Sequence, residues 1–211
     1  MKQEVLTARA AILGDRHPDT ISAQATLATT LQALGKKKEA LHMEQKVLAA
    51  RAEILGDRHP DTIKARNNLA STLHGLGRYE DALHMEQEVL TARATILGDR
   101  HPDTIHAQAN LADTLRKLGK HEKALQMEQE VMAARAEVLG ERHPDTIKSR
   151  NHLANALHGL SRYEEALQMK REVLAATAER LGDCHPDTIN ARNNVATTLH
   201  ALGKHKEAAQ L

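Results

Sequence analysis

The five prolines of the chain recur at a fixed interval of 42 residues, and this interval constrains the fold more than any other feature. They are Pro18, Pro60, Pro102, Pro144 and Pro186. Five intervals of 42 residues account for all but one of the 211 residues. Self-similarity at a period of roughly 20 to 50 residues is typical of a repeat array, in which each copy forms one small structural unit. The sequence therefore predicts repeated units rather than a single globular core.

Each unit contains the start and stop signals of two helices, which are clearest in the second unit. The first helix begins at Pro60, because proline is favoured at the first helical position. It ends at Gly77, because glycine readily adopts the left-handed conformation that follows a helix. The second helix runs from about Tyr79 to Leu97. Of the ten stop positions of this kind in the chain, nine hold glycine and one holds Ser161.

The apolar residues of each helix fall on one broad face, as Ile63, Leu69 and Leu73 do in the first helix of the second unit. One helix pair cannot bury two such faces by itself, so neighbouring units must stack. Hydrophobic residues make up 41% of the chain but aromatic residues only 1%, so the core must consist of Ala, Leu, Ile, Val and Met. This composition favours close-packed helices over sheets. We therefore predict an all-α solenoid of antiparallel helix pairs.

The repeat register predicts how the chain is divided. Residues 1–14 are half of a second helix, residues 17–58, 59–100, 101–142 and 143–184 are full repeats, and residues 185–211 are an incomplete repeat. The two ends are complementary halves of one helix. We therefore expect a piece of a longer array, whose copies associate head to tail or exchange their end helices.

Composition and charge argue against several classes of function. The formal net charge is +1, and the chain has no row of aromatic residues that could stack on bases. Nucleic-acid binding is therefore not expected. The apolar runs are too short to span a membrane, and no secretory signal is present. The only cysteine, Cys184, cannot form an internal disulfide, which favours a cytoplasmic location. No catalytic motif or phosphate-binding glycine loop appears, so we expect no enzymatic activity and no cofactor.

Histidine is abundant, with 14 residues, but five of these simply repeat immediately before the five prolines. These five are His17, His59, His101, His143 and His185. Histidines 42 residues apart in a stacked array lie too far from one another to share a metal ion. We interpret them as residues that pack or form hydrogen bonds at the turn between helices, and we predict no metal site.

The spacing of small and apolar residues resembles a known repeat family. The second unit carries Leu69-Ala70, Leu73, Leu76-Gly77, Tyr79 and Ala82. This spacing resembles the tetratricopeptide repeat, whose usual unit of about 34 residues has shorter helices. With the His-Pro-Asp-Thr and Asn-Asn-Leu-Ala strings, it is similar to the 42-residue repeats of kinesin light chains. It is also similar to arrays that follow NACHT or NB-ARC signalling ATPases.

The resemblance covers the whole chain and implies a right-handed superhelical solenoid. Two departures are clear: Arg66 stands where the family often has tryptophan, and Glu86 stands where it has an aromatic residue late in the second helix. HEAT-type repeats have a compatible length but lack the Leu-Gly-x-Tyr…Ala spacing. Arrays of this kind serve as binding scaffolds, so the resemblance implies the fold more specifically than the function.

In tetratricopeptide arrays the first helices line the concave surface, so the resemblance implies that their polar face binds a protein or peptide partner. The candidate residues are Lys64, Asn67, Ser71, His74, His106, Asp113, Arg116, Lys148, Asn151, Asn155, His158, Asn190, Asn193 and His200. Asparagine side chains both donate and accept, so a row of them can bind an extended peptide backbone. Counting Lys117 with these residues, the face carries an excess of about three positive charges, which favours an acidic peptide. The alternative is a solvated helix face without a ligand.

Charged residues also recur inside the apolar stripe of the second helices. Three glutamates are followed seven positions later by arginine, in the pairs Glu44 and Arg51, Glu86 and Arg93, and Glu128 and Arg135. In the fourth unit both members change together, to Lys170 and Thr177. Since one unpaired buried charge costs about 3–5 kcal/mol, we interpret each pair as an internal ion pair in a polar layer that fixes the repeat register. Arg66, Arg150 and Arg192 could join this layer.

The sequence thus predicts a protein-binding scaffold that holds an extended, acidic segment on its concave face. The alternative is a self-assembling repeat array that acts as the sensor or structural part of a larger protein. A scaffold would respond to acidic peptides, whereas a self-assembling array would change its mass with concentration.

Overall fold

A computed structural model describes residues 2–211, and for Lys2, Gln3, Val5 and Leu6 it describes the backbone alone. Met1, which the predicted half-helix includes, lies outside the described residues. The helices are α1 (Lys2–Leu13), α2 (Pro18–Ala33), α3 (Lys37–Leu55), α4 (Pro60–Gly75), α5 (Tyr79–Leu97), α6 (Pro102–Lys117), α7 (His121–Leu139), α8 (Pro144–Gly159), α9 (Tyr163–Leu181), α10 (Pro186–Ala201) and α11 (His205–Ala208). No strand occurs within residues 2–211. The predicted all-α class is confirmed.

Every first helix begins in the same way, with a histidine cap. The Nδ1 atom of the histidine before each proline accepts a hydrogen bond from the backbone N–H of the aspartate two residues later, at 3.1 or 3.2 Å. Proline then occupies the first helical position, where its missing N–H costs nothing. The aspartate lies in the first turn, where the helix dipole favours a carboxylate. The repeated histidines are therefore helix caps.

The residues that follow the helices adopt a positive φ at regular positions along the chain. The second helices α3, α5, α7 and α9 each end at a glycine with φ between 83° and 90°. After the first helices, Gly35, Gly77, Gly119 and Gly203 have φ between 71° and 76°. Ser161 takes the same place after α8 with φ 59°. It is the only residue other than glycine with positive φ in the described part of the chain, so its side chain introduces local strain.

The chain forms two compact units, Met1–Asp99 and Arg100–Leu211. In the first unit, helices α1 to α5 each pack against their neighbour along the chain, and the first helices α2 and α4 also touch. One buried cluster joins Ile21, Val47 and Ala65, and another joins Leu69, Leu73 and Ala82. Small aliphatic side chains from both helices of a pair and from the next first helix thus form this core.

In the second unit, helices α6 to α11 pack in the same way, and α6 touches α8. Its buried clusters are Ile105 with Ala109, Val131 and Ala134; Ile147 with Val173 and Ala191; and Leu167 with Val195, Leu199 and Ala208. Alanine is a member of all three clusters. Helices without aromatic side chains can therefore pack closely, as the composition predicted.

Two arginines of the predicted polar layer, Arg51 and Arg135, contact groups other than the predicted glutamates. Arg51 donates to the backbone carbonyl of Asp61 at 3.0 Å. Arg135 donates to the carbonyl of Asp145 at 3.2 Å and to Ser149 Oγ at 2.7 Å. Residues seven positions apart are separated by roughly 10 Å along a helix, whereas the start of the next first helix lies within reach of the arginine. These arginines therefore hold the junction between consecutive repeats.

The glutamates of the layer are buried, with 3% of Glu44, 6% of Glu86 and 1% of Glu128 exposed. Burial raises the pKa of Glu44 above its usual value, and a hydrogen bond with the Thr72 side chain partly offsets this rise. Glu128 Oε1 lies 3.4 Å from His152 Nδ1 on the next first helix. Glu44 and Glu128 therefore face side chains of the following repeat rather than an arginine on their own helix.

Lys170 takes the glutamate position in α9, and 3% of it is exposed. Its Nζ donates to Thr198 Oγ1 at 2.9 Å. Burial lowers the pKa of this ammonium group to about 8. No carboxylate of the described residues forms an ion pair with this ammonium group. The Thr198 hydroxyl is therefore the group that offsets the loss of its hydration.

We predict that Ser161→Gly stabilises the protein by about 1 kcal/mol, because glycine adopts positive φ without steric cost. Urea unfolding monitored by circular dichroism would measure the difference. Gly77→Ser, at the equivalent position of the second repeat, is the matched control and should destabilise by a similar amount, since no atom outside its neighbours approaches the added Cβ. Equal stability of wild-type and Ser161→Gly protein would contradict the strain at Ser161.

We predict that the free energy of unfolding rises between about pH 8 and pH 10.5, relative to that of Lys170→Met. The pKa of Lys170 is lower in the folded than in the unfolded chain, so the unfolded chain binds more protons in this range and folding gains stability as pH rises. The free energy of unfolding of the wild-type protein should rise by roughly 2–3 kcal/mol over this pH range, and the rise should be absent in Lys170→Met. Parallel pH profiles for the two proteins would show that the interpretation is wrong.

Candidate protein-binding surface

The predicted binding residues all lie on first helices, and none of them is buried. Those of the first unit are on α4, at Lys64, Asn67, Ser71 and His74. Those of the second unit are on α6 (His106, Asp113 and Arg116), α8 (Lys148, Asn151, Asn155 and His158) and α10 (Asn190, Asn193 and His200). Within each helix the spacing of three, four or seven residues places them along one stripe. We call this set the first-helix surface.

The C-terminal end of each stripe takes part in contacts between or within repeats. His158 Nδ1 lies 3.3 Å from Thr198 Oγ1 on the next first helix. At the same repeat position in the first unit, the Gln32 amide donates to the Thr72 hydroxyl. The ring of His158 also packs edge-on against Tyr163, with centroids 5.0 Å apart. These contacts fix the stacking of adjacent repeats, so the His158 position has a structural role that the sequence pattern did not reveal.

Burial lowers the pKa of His158 below its usual value, and the nearby charge of Lys170 lowers it further. At neutral pH this histidine is therefore kept uncharged and is a poor partner for an acidic ligand. His200 is exposed, and its Nδ1 lies 3.0 Å from Nδ1 of His205. His158 and His200 therefore have different surroundings on the first-helix surface.

The predicted excess of about three positive charges on this surface is carried by lysines alone. Arg116 forms an ion pair with Asp113 one turn away on α6, so their charges cancel. Their side chains are only about a quarter exposed, which holds the pair together. The positive charge of the surface therefore rests on Lys64 in the first unit and on Lys148, with the neighbouring Lys117, in the second.

Several residues of the surface have no recorded side-chain hydrogen bond or ion pair with another described residue. These are Lys64, Asn67 and Ser71 in the first unit and Lys148, Asn155, Asn190 and Asn193 in the second. Asn151 differs, since its Oδ1 lies 3.4 Å from Asn194 Nδ2. The accessible groups are thus amides, ammonium groups and one hydroxyl, which can bind peptide backbone and carboxylate oxygen atoms.

A cavity of about 240 Å³ adjoins the surface in the second unit. It lies beside His106 and is lined by Ile105, Val138 and Leu139, with Arg135 at its wall. A similar cavity of about 60 Å³ occurs at the equivalent place of the first unit, beside Ser22. The Val-Leu pair that ends α7 is 48% and 40% exposed, although both residues are apolar. The sequence analysis did not predict these cavities. The Ile-Leu or Val-Leu pair that ends four of the second helices could have indicated them.

No group of three or more His, Cys, Asp or Glu side chains in the described part of the chain is placed to hold a metal ion. No helix within residues 2–211 combines the length and apolar character that crossing a membrane requires.

Comparison with protein families identifies the repeat. Two family models described as tetratricopeptide repeat match the chain, one at residues 20–61, 62–103 and 104–145 and the other at residues 129–179 and 151–211. The first model recurs at the 42-residue interval of the prolines. No curated protein matches the sequence.

Solved structures of similar fold include a kinesin light chain-like protein of Podosopora anserina with nearly identical TPR-like repeats. It is 27% identical, with a TM-score of 0.78 and coverage of 92% of each chain. BtubC (BKLC) from P. vanneervenii is 20% identical, with a TM-score of 0.76, and the alignment covers 98% of this chain and 82% of that one. A tetratricopeptide repeat protein from Parabacteroides merdae is 17% identical, with a TM-score of 0.73 and coverage of 99% and 68%.

These matches agree with the helix pairs, the 42-residue period and the small aliphatic core. Tetratricopeptide repeats are generally non-enzymatic scaffolds for protein–protein interaction. The chain belongs to the tetratricopeptide repeat family, and its repeats are of the 42-residue, kinesin light chain-like type.

Proposed function

We propose that this protein is a non-enzymatic scaffold whose first-helix surface holds an extended, acidic segment of a partner protein. The observation that carries the proposal is the set of accessible amide and ammonium groups that no neighbouring side chain engages, such as Lys64 and Asn67 on α4. The family provides the general role, and these groups provide the chemistry. The proposal places the protein in the cytoplasm, where the exposed, free Cys184 would stay reduced.

The accessible groups fit a backbone ligand with carboxylate side chains. Asn67 on α4 and Asn155 on α8 can each donate to a peptide carbonyl and accept from a peptide N–H. Lys64 and Lys148 lie one turn before an asparagine of the same stripe, so a carboxylate beside the bound backbone would meet an ammonium group. Each contact is weak, and the affinity depends on how many repeats engage the same segment.

The cavity beside His106 adds a place for an aliphatic side chain. Ile105, Val138 and Leu139 provide apolar walls, and burying a side chain there removes apolar surface from water. Asp103 and Asp145 at its rim disfavour an acidic residue in this position. The segment that fits best therefore has aliphatic residues among its acidic ones.

The proposal predicts that Lys64→Glu and Lys148→Glu each weaken binding of an acidic peptide by about fivefold, the value of one exposed ion pair. Fluorescence anisotropy with a labelled ten-residue peptide of alternating Glu and Ala would measure this, with the Gln–Ala peptide as the uncharged reference. Lys46→Glu and Lys123→Glu make the same charge change on the second helices α3 and α7 and should leave binding unchanged. Equal losses for all four variants would mean that net charge, rather than this surface, governs binding.

Self-association is the second candidate, and exposed apolar side chains favour it. Ile12 on α1 is 80% exposed, and Leu211 is 46% exposed. If a second copy of the chain covers these residues, the mass measured by sedimentation should increase with protein concentration. The substitution Ile12→Lys should make this increase smaller. A mass that stays monomeric across the concentration range would leave the peptide-binding scaffold as the remaining proposal.

A further inference from the structure

The loops before four of the five first helices carry an arginine, and in three of them this arginine pairs with a glutamate on the second helix that follows. Arg16 pairs with Glu53 at 2.8 Å, Arg100 with Glu137 at 2.8 Å, and Arg142 with Glu179 at 3.6 Å. In each case the glutamate lies 37 residues later, on the second helix of the repeat that the loop precedes. The loop arginine and this glutamate thus form a recurring ion pair between a loop and the neighbouring helix.

The loop before the second repeat has the arginine, but the second repeat lacks the glutamate. Arg58 is the loop arginine, and Thr95 stands 37 residues later on α5, where the other repeats have glutamate. The Thr95 hydroxyl donates to the Thr91 carbonyl on its own helix, at 2.8 Å, so it is turned away from the loop. Arg58 has no recorded hydrogen bond or ion pair with any described residue, which distinguishes it from the three paired arginines.

A cavity of about 650 Å³ lies beside Arg58, between the loop before α4 and the helix α5. Its wall on α5 includes Gln87, Thr91 and Ala92, with Thr95 and Ile96 near the helix end. Three of the repeats place a glutamate at the Thr95 position. In this repeat the shorter threonine leaves that place open next to an unpaired guanidinium group.

The other charges at this cavity are already paired. Arg66 lies between two acids, with Nη2 at 2.8 Å from Asp57 and Nε at 3.0 Å from Glu88. Glu88 also lies 3.3 Å from His84 Nδ1. Among the described residues that line this cavity, Arg58 is therefore the one charged side chain without an ion pair. Because Asp57 and Glu88 would repel a cluster of acids, the site suits one carboxylate rather than a polyacidic ligand.

We propose that the cavity beside Arg58 is a docking site for a single glutamate or aspartate side chain of a partner protein. The partner's carboxylate would take the place that Glu53, Glu137 and Glu179 occupy in the other repeats. A guanidinium group binds a carboxylate through two parallel hydrogen bonds, which also fixes the orientation of the side chain. Gln87 and Ala92 then face the residues that flank the carboxylate. The site shares no residue with the first-helix surface, so it does not depend on the function proposed above.

The chain provides its own test variants, because the other repeats show which residue closes the site. Thr95→Glu should restore the internal ion pair with Arg58 and occupy the site. Glu179→Thr should release Arg142, in the loop before the fourth repeat, and create a second site of the same kind. The probes are the blocked tripeptide Ala-Glu-Ala, its Ala-Gln-Ala counterpart and inorganic phosphate, titrated into the isotope-labelled protein and followed by the backbone amide shifts of residues 91–96.

We expect the glutamate peptide to shift these amides and to lose about fivefold in affinity in both Thr95→Glu and Arg58→Ala, the value of one exposed ion pair. Arg142→Ala, which removes an arginine that is already paired, should not change the shifts of residues 91–96. Glu179→Thr should add matching shifts in residues 175–180. Lys64→Glu and Lys148→Glu should leave all these shifts unchanged, which separates this site from the first-helix surface.

Three results would overturn the proposal. One is equal binding of the glutamate and glutamine peptides, and another is undiminished binding to a folded Thr95→Glu protein. The third is binding of inorganic phosphate with the same shifts and a higher affinity than the peptide, which would show a site for free anions. If Thr95→Glu does not fold, Glu179→Thr provides the test. Shifts in residues 175–180 would show that an unpaired loop arginine also binds the peptide in another repeat, and their absence would contradict the proposal.

Discussion

The hydrogen bond from an aspartate N–H to the Nδ1 atom of the preceding histidine is the interaction on which each repeat depends. It fixes the first residue of each first helix, and the proline between the two residues fixes the backbone angle. Arg51 or Arg135 then joins the end of the previous helix to the same aspartate through its carbonyl. The junction joins consecutive repeats, whose buried clusters include small side chains such as Ala65 and Ala82.

The sequence predicted most of the fold because its signals are local. Proline and glycine specify where helices begin and end, and the apolar stripe specifies which face is buried, so the helix bounds of α4 and α5 follow closely from the second repeat. Ser161 was recognised as the exception among the stop positions and adopts the same positive φ as the glycines. Placing polar residues such as Lys64 on an accessible face also follows from the helical period.

Contacts between helices could not be predicted in the same way. A periodic pattern shows which face a side chain occupies, but not which residue of the next helix it meets. Glu128 and Arg135 were therefore predicted to pair along one helix, whereas their recorded partners are His152 and the Asp145 and Ser149 oxygen atoms of α8. The engagement of His158 with Thr198 and the cavity beside His106 are of the same kind, since both arise only when two repeats are stacked.

The substitution of threonine for glutamate at position 95 gives one repeat an identity that its neighbours lack. Binding along an array of equivalent units is degenerate, because a segment can slide by one period and find the same contacts again. A partner that must place a carboxylate beside Arg58 can bind in one register alone. A single altered residue can thus fix the register of a bound segment on an otherwise periodic surface, and with it the position of every other contact.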